Sequence, residues 1–218
     1  MENSKDVPFV SCIMPTADRE KYLPLAINYF LEQDYPNAEL IIIDDGRRSM
    51  RLLIPDHPKI KYIYSEPIGS IGLKRNYACA KAQGEIIMHW DDDDWHAADW
   101  ISKQVEALLL SEADVCGIEH VHFFSPVADT LWLGTAICRE KASWLNGATL
   151  AYWKTFWATN PFKDKQTAED DAFLKYPGIK IYAHGYIDGF VAILHPTNTT
   201  VKYFENPAHK KIIKSITK

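Results

Sequence analysis

The chain has 218 residues, 47% hydrophobic and 24% charged, with a formal net charge of -5. That size suits one α/β domain with a sizeable core. The acidic balance excludes a nucleic-acid binder held by bulk electrostatics.

In chain order, PFVSCIMP (8–15) reads as a strand. Residues 18–33 place Tyr22, Leu25, Ala26, Tyr29 and Phe30 at helical spacing, with Pro24 early enough to be tolerated. ELIIIDD (39–45) is a buried strand running into a Gly turn, and IKYIYS (60–65) is a third strand. GLKRNYACAKA (72–82) is a helix closed by Gly84, EIIMHW (85–90) a fourth strand, and AADWISKQVEALLL (97–110) a helix. Beyond residue 112 the pattern loosens. DVCGIEHVHFF (114–124) is one long strand or a pair, GATLAYWKTFW (147–157) a strand leading into a helix, and IKIYAHG (179–185) and FVAILH (190–195) are late strands.

Strand–helix alternation at this spacing predicts βαβ units, hence a single α/β domain with a central, mainly parallel mixed sheet flanked by helices. The expected domain covers residues 1–204. Residues 205–218 then form a basic tail or short helix. The segment Lys202–Lys218 carries +4 and the rest of the chain -9, a distribution compatible with weak contact to an anionic membrane surface. No window approaches the ~18 apolar residues of a membrane span, and MENSKDVPFV lacks the apolar core of a signal peptide. Cys12, Cys79, Cys116 and Cys138 have no metal or redox spacing. A cytoplasmic protein with free thiols is expected.

The chemistry centres on HWDDDDW (89–95). If Asp91–Asp94 continue the strand, Asp91 and Asp93 face one way and Asp92 and Asp94 the other. A D-x-D pair on one face offers carboxylate oxygens to a hard divalent cation, and Asp94 is free to cap the next helix. An EF-hand is excluded, because its required Gly and Glu are His96 and Ser102 here. Asp44 and Asp45 end another strand, where carboxylates accept from a nucleobase N–H or ribose hydroxyls. Lys74 and Arg75 open a helix, a position that favours phosphate. In TAEDDAFL (167–174) the acidic residues either complement a helix N-terminus or project an Asp into the cleft as a general base, and His195 at a late strand end is either structural or completes a cation site. In open α/β sheets ligands bind outside the carboxyl ends of the strands, where these acidic motifs fall.

In this order the motifs resemble the inverting nucleotide-sugar transferases of glycosyltransferase family 2, which have the Rossmann-like GT-A fold. The matching pieces are MPTADR, IIIDDG, GLKRNYACAKAQGEIIMHWDDDDW, GATLAYWKTFW, AEDDAF and HPTN, over about residues 7–200. The resemblance implies a nucleotide pocket of Pro15, Thr16 and Asp18, with Asp44 and Asp45 at the base and Arg75 near the nucleotide. It places Asp91 and Asp92 toward the ribose and sugar. Asp93, with Asp91 and His195, would hold Mg²⁺ or Mn²⁺, and Asp170 would be the base. It further implies single additions from a nucleotide-sugar donor, a UDP-sugar first, onto a glycan or lipid-linked glycan in bacterial surface glycan synthesis. Trp132, Trp144, Trp153 and Trp157 are candidate sugar-stacking surfaces. Two departures stand out. The chain has Thr16-Ala17-Asp18 where the family often carries an aromatic residue and Asn, and Arg47 where Ser commonly follows Asp-Asp-Gly. A non-catalytic nucleotide-sugar or metal-binding module is the alternative, and a metal-free two-carboxylate glycosidase a more distant one.

Overall fold

A computed structural model describes residues 7–135, 144–198 and 210–212. Its centre is a seven-stranded sheet of order β10-β6-β9-β4-β1-β2-β3. These strands are β1 (Val10–Thr16), β2 (Ala38–Asp44), β3 (Ile60–Tyr64), β4 (Ile86–His89), β6 (Val115–Gly117), β9 (Ala151–Trp153) and β10 (Ile181–Ala183). All pairings are parallel except those of β9, which runs antiparallel to β4 and β6. Every residue of β1 and β2 is buried. The period of two explains their unbroken apolar runs: Cys12, Met14, Leu40 and Ile42 join the core on one face, and Ile13, Ile41 and Ile43 join that on the other.

Helices cover both faces. α1 (Leu23–Leu31) buries Leu23, Ala26, Ile27 and Phe30 and carries Pro24 in its first turn, where no N–H is missed. It starts later than the periodicity predicts, because Asp18 sits at φ 52° in the preceding loop. α2 (Ile71–Lys81) is capped by Ser70, whose Oγ accepts from the Leu73 N–H. α3 (Trp100–Ser111) buries Trp100, Ile101, Val105 and Leu108. α4 (Lys154–Thr159) and α5 (Glu169–Phe173) are short.

A second, five-stranded sheet has the order β12-β8-β7-β11-β5. It contains β5 (Trp95–His96), β7 (His120–Ser125), β8 (Thr130–Thr135), β11 (Phe190–Ile193) and β12 (Lys210–Ile212). The stretch read as one strand or a pair is a pair divided between sheets, β6 and β7. In the basic tail, the described residues 210–212 form a strand against β8 rather than part of a helix. The rest of the tail and Cys138 lie outside the described residues.

Candidate active site

The two sheets meet at the acidic run. β4 ends at His89 and β5 starts at Trp95, so Asp91–Asp94 form the crossing. β5 pairs antiparallel with β11, Val191 opposite Trp95. Continuing that register brings Ile193–His195 alongside Asp91–Asp93. Sequence residues about a hundred apart thus become neighbours for a simple backbone reason. The carboxyl ends of β1 and β4 open into a cavity of about 570 Å³. Pro15, Thr16, Arg19, Lys74, Arg75, all four aspartates of the run, Glu169 and Asp170 line it.

The run is a turn at Asp92–Asp93, not a continued strand. Strict alternation of its side chains is therefore lost. Arg19 Nη1 bridges the neighbours, pairing with Asp92 Oδ1 at 3.1 Å and closely with Asp93 Oδ2. Thr16 Oγ1 donates to Asp92 Oδ2 at 2.5 Å. Asp93 Oδ2 also lies 2.9 Å from His195 Nε2 and accepts from Asn198 Nδ2 at 3.2 Å. The Thr197 N–H donates to His195 Nδ1, so Nε2 carries the hydrogen toward Asp93. Tyr22 stacks on the His195 ring at 4.2 Å. Asp94 does not cap α3, whose N-cap position is Asp99; its Oδ1 accepts from the Ile193 N–H at 3.1 Å and ties β11 to the run.

Arg75 lies beneath the run, buried between Asp91 Oδ1 and Glu169 Oε1 at 3.3 and 3.2 Å. Burial opposes its charge, but Asp91 and Glu169 outweigh that and raise its pKa above the ordinary value. Its Nη1 is buried without a partner among the described residues, a donor left over. Glu169 is pushed up by burial against the pull of Arg75. Asp92 is pushed up to about 7, by burial first, with Arg19 opposing and Asp93 adding. Asp170 follows Glu169 into the cavity; its Oδ1 accepts from the Asp171 N–H, and no ion pair reaches it among the described residues. Its carboxylate rests on Gly147, where an added Cβ would fall 1.7 Å from Oδ2. His89, buried and neutral, donates from Nδ1 to the Gly147 carbonyl at 2.6 Å and holds that turn in place.

The remaining sequence candidates sit beside the cavity rather than on its lining. Asp44 is fully buried, accepting from Gly46 N, Met50 N and the Tyr62 hydroxyl. Asp45 pairs with Lys74 and accepts from the Ile68 N–H. Asp18 is held by the Arg47 backbone and side chain, and its pKa is lowered by the Arg47 N–H bond first. Arg47, a departure from the resemblance, thus has a partner in Asp18, the other departure. Trp132, Trp144, Trp153 and Trp157 are not on the lining: Trp144 donates to Asp171, Trp153 to the Ala113 carbonyl and Trp157 to Asn76. Arg19, Tyr22, Gly147 and Asn198 are site residues the sequence reading passed over.

In their ordinary ionisation states, three cations and seven carboxylates line the cavity. An anionic diphosphate entering such a surface meets net repulsion unless positive charge comes with it. The hard oxygen donors and imidazole around Asp93 suit Mg²⁺ or Mn²⁺. A guanidinium already rests on those carboxylates. The residues therefore fit a divalent cation. Among the described residues no ready-made group of three or more acidic, His or Cys ligands exists. No helix there is long and apolar enough to cross a membrane.

Comparison with known proteins gives a consistent result. The family described as glycosyl transferase family 2 matches residues 11–182. A putative colanic acid biosynthesis glycosyl transferase, WcaA, of Escherichia coli is 36% identical over 110 residues, 48% of this chain and 38% of that protein. A putative teichuronic acid biosynthesis glycosyltransferase, TuaG, of Bacillus subtilis is 30% identical over 107 residues, 47% of this chain and 42% of its own length. The matched part is thus less than half of these relatives. Among solved structures, S. aureus TarS in complex with UDP-GlcNAc superposes with a TM-score of 0.63 at 17% identity, over 89% of this chain and 61% of that one. A Pyrobaculum calidifontis mannosyltransferase in complex with GDP-Man and Mn²⁺ superposes with a TM-score of 0.63 at 18% identity, over 86% and 56%. At those identities the likeness concerns the fold, which is GT-A.

Proposed function

The chain belongs to glycosyl transferase family 2, and from that premise we propose that it transfers one sugar at a time from a nucleotide-sugar donor to an acceptor hydroxyl, inverting the anomeric configuration with the help of a divalent cation. The observation that carries this reading is the arrangement of one cavity: Asp93, backed by His195 behind the lining, on one part of its wall, and Asp170, free of ion pairs among the described residues, on another. The nucleotide lies along Pro15 and Thr16 at the end of β1, with Asp18 and Asp45 beside it at the sheet edge. Asp44 supports this edge from within the fold. Arg75 offers its spare Nη1 to the donor and fixes Asp91 and Glu169. Asp91 and Asp92 face the ribose and sugar.

Asp93, Asp91 and His195 would hold the Mg²⁺ or Mn²⁺, whose chemistry is to neutralise charge on the departing diphosphate. For His195 to ligate through Nε2, the hydrogen now pointing at Asp93 must leave. Asp170 accepts the proton of the acceptor hydroxyl as that oxygen attacks the anomeric carbon. UDP-sugars are the first donors to try, since TarS is described with UDP-GlcNAc. The names of WcaA and TuaG favour a bacterial surface glycan, free or lipid-linked, as acceptor. The lysines of Lys202–Lys218 favour a peripheral contact with anionic lipid at the inner membrane face.

Asp170→Asn tests the assignment. Donor affinity, read by calorimetry, should stay within about threefold of the parent, while transfer falls by about 10²–10⁴-fold, the usual worth of a general base. Unchanged transfer would remove Asp170 from the reaction. Donor binding with no transfer by either protein to any acceptor would favour the binding-module reading.

A further inference from the structure

We propose that Arg19 is an internal cation occupying the divalent-cation seat: in the metal-free protein its guanidinium holds Asp92 and Asp93, and it must be expelled for the ion to bind. The inference rests on the reading above that Asp93 carries the metal. Arg19 Nη1 lies on both carboxylates at once, closer to Asp93 than any other group described. Its Nη2 donates to the Thr197 carbonyl at 2.9 Å. The guanidinium thereby also ties the segment carrying His195 and Asn198 to the acidic run.

Two facts make this more than a surface ion pair. Arg19 and Asp93 keep only 16% and 10% of their side-chain area in contact with solvent, so screening is limited and the pairing is worth more than an exposed one. Three adjacent carboxylates at a tight turn also need a counter-charge whenever the metal is absent. A guanidinium supplied by the chain gives that charge at no loss of translational freedom. The ion therefore enters by exchange, with +2 replacing +1 at Asp93, and the chain sets a threshold concentration below which the seat stays closed. Arg19 sits in the loop between β1 and α1, directly after Asp18 at φ 52°, outside any helix or strand that would have to break to let it swing away.

Direct titration with Mn²⁺ alone, followed by electron paramagnetic resonance of the free ion, tests this without donor or acceptor. Arg19→Gln should bind Mn²⁺ at least about tenfold more tightly than the parent, as one competing ion pair is lost. Its metal-free melting temperature should be lower and its rise on adding Mn²⁺ larger. Arg19→Lys keeps the charge, so its affinity should stay between those two. In the parent, the side-chain Nε–H resonance of Arg19, assigned by its loss in Arg19→Lys, should shift on adding diamagnetic Mg²⁺; this readout needs only the conservative variant to fold, not Arg19→Gln. Equal or weaker Mn²⁺ binding by Arg19→Gln, or an unmoved Nε–H signal in parent protein saturated with Mg²⁺, overturns the exchange while leaving the metal reading intact. No Mn²⁺ binding by parent or variants overturns both.

Discussion

Gly147 is the residue whose substitution should most cleanly separate binding from catalysis. A Cβ there would lie 1.7 Å from Asp170 Oδ2, 2.5 Å from Cγ and 2.8 Å from Cβ. Ordinary carbon–oxygen contact needs about 3.4 Å, so the carboxylate must retreat by roughly 1.5 Å or more, since van der Waals packing does not tolerate the overlap. Gly147 is itself pinned, because His89 holds its carbonyl at 2.6 Å, which leaves Asp170 to move. A displacement of about 1 Å in a reacting group costs on the order of 10²-fold in rate, or about 2.7 kcal/mol in the barrier. Gly147→Ala should therefore lower kcat by about 10²-fold, with donor affinity unchanged and stability lowered by about 1–3 kcal/mol from overpacking. Steady-state kinetics with donor calorimetry read the two effects separately. In an Asp170→Asn background the same substitution should cost almost nothing further in kcat, because both changes act through one group. A Gly147→Ala enzyme within twofold of the parent, or full additivity in the double variant, refutes the positioning argument.

Arg75→Met should destabilise the fold by about 3–5 kcal/mol in chemical denaturation, because Asp91 and Glu169 are left unpaired against a buried apolar group. A loss under 1 kcal/mol would mean the ion-pair network is not holding the site. His96 gives a pH prediction. Burial lowers its pKa from 6.5 to about 3, with a hydrogen bond to the Asp94 backbone opposing the shift. The unfolded chain takes up this proton first, so stability is lost as pH falls through 6.5 toward 3, by about 2 kcal/mol at pH 5 for this residue alone. Asp92 works in the opposite sense, raised from 3.8 to about 7, so that stability is gained as pH falls over that interval. The parent must therefore be compared with His96→Phe, which keeps the stack on Trp90. The variant's stability should rise relative to the parent by about 2 kcal/mol between pH 7 and pH 5. A pH-independent difference would contradict the neutral, buried imidazole.

The large sheet was legible because its signals are local. Four of its strands are short apolar runs broken by turn residues, and α2 and α3 carry a helical period, α2 with a Ser70 cap and Gly84 beyond its end. The second sheet was legible only in part: β7 and β11 are apolar runs, but β5 is two residues long and β8, TLWLGT, has only three apolar residues after the turn at 126–129. β5 becomes a strand only by pairing with β11, far along the chain. Asp91–Asp94 and His195 stood out by residue type and by position after strand ends, and Asp170 by its place at a helix start. Arg19 and Asn198 did not, since nothing in an Arg following Asp18 says that its guanidinium crosses to Asp93; the β1–β4 pairing decides that for Arg19 and the β5–β11 pairing for Asn198. The helical reading of the tail failed for a related reason: Ile212 and its lysines fit a helix period and a strand equally over so few residues. Gly147 was visible as a letter, but its meaning depends on Asp170 arriving from another element.

The most direct test of the account is calorimetric titration of UDP-sugars and GDP-sugars, with Mn²⁺ and with a chelator, into the parent and Asp93→Asn. One donor should bind the parent with a Kd at or below about 1 mM when Mn²⁺ is present, and at least about tenfold more weakly with chelator or in Asp93→Asn. Donor binding that is indifferent both to Mn²⁺ and to Asp93 would contradict the cation seat, and binding of no nucleotide sugar under any condition would contradict the proposed donor site.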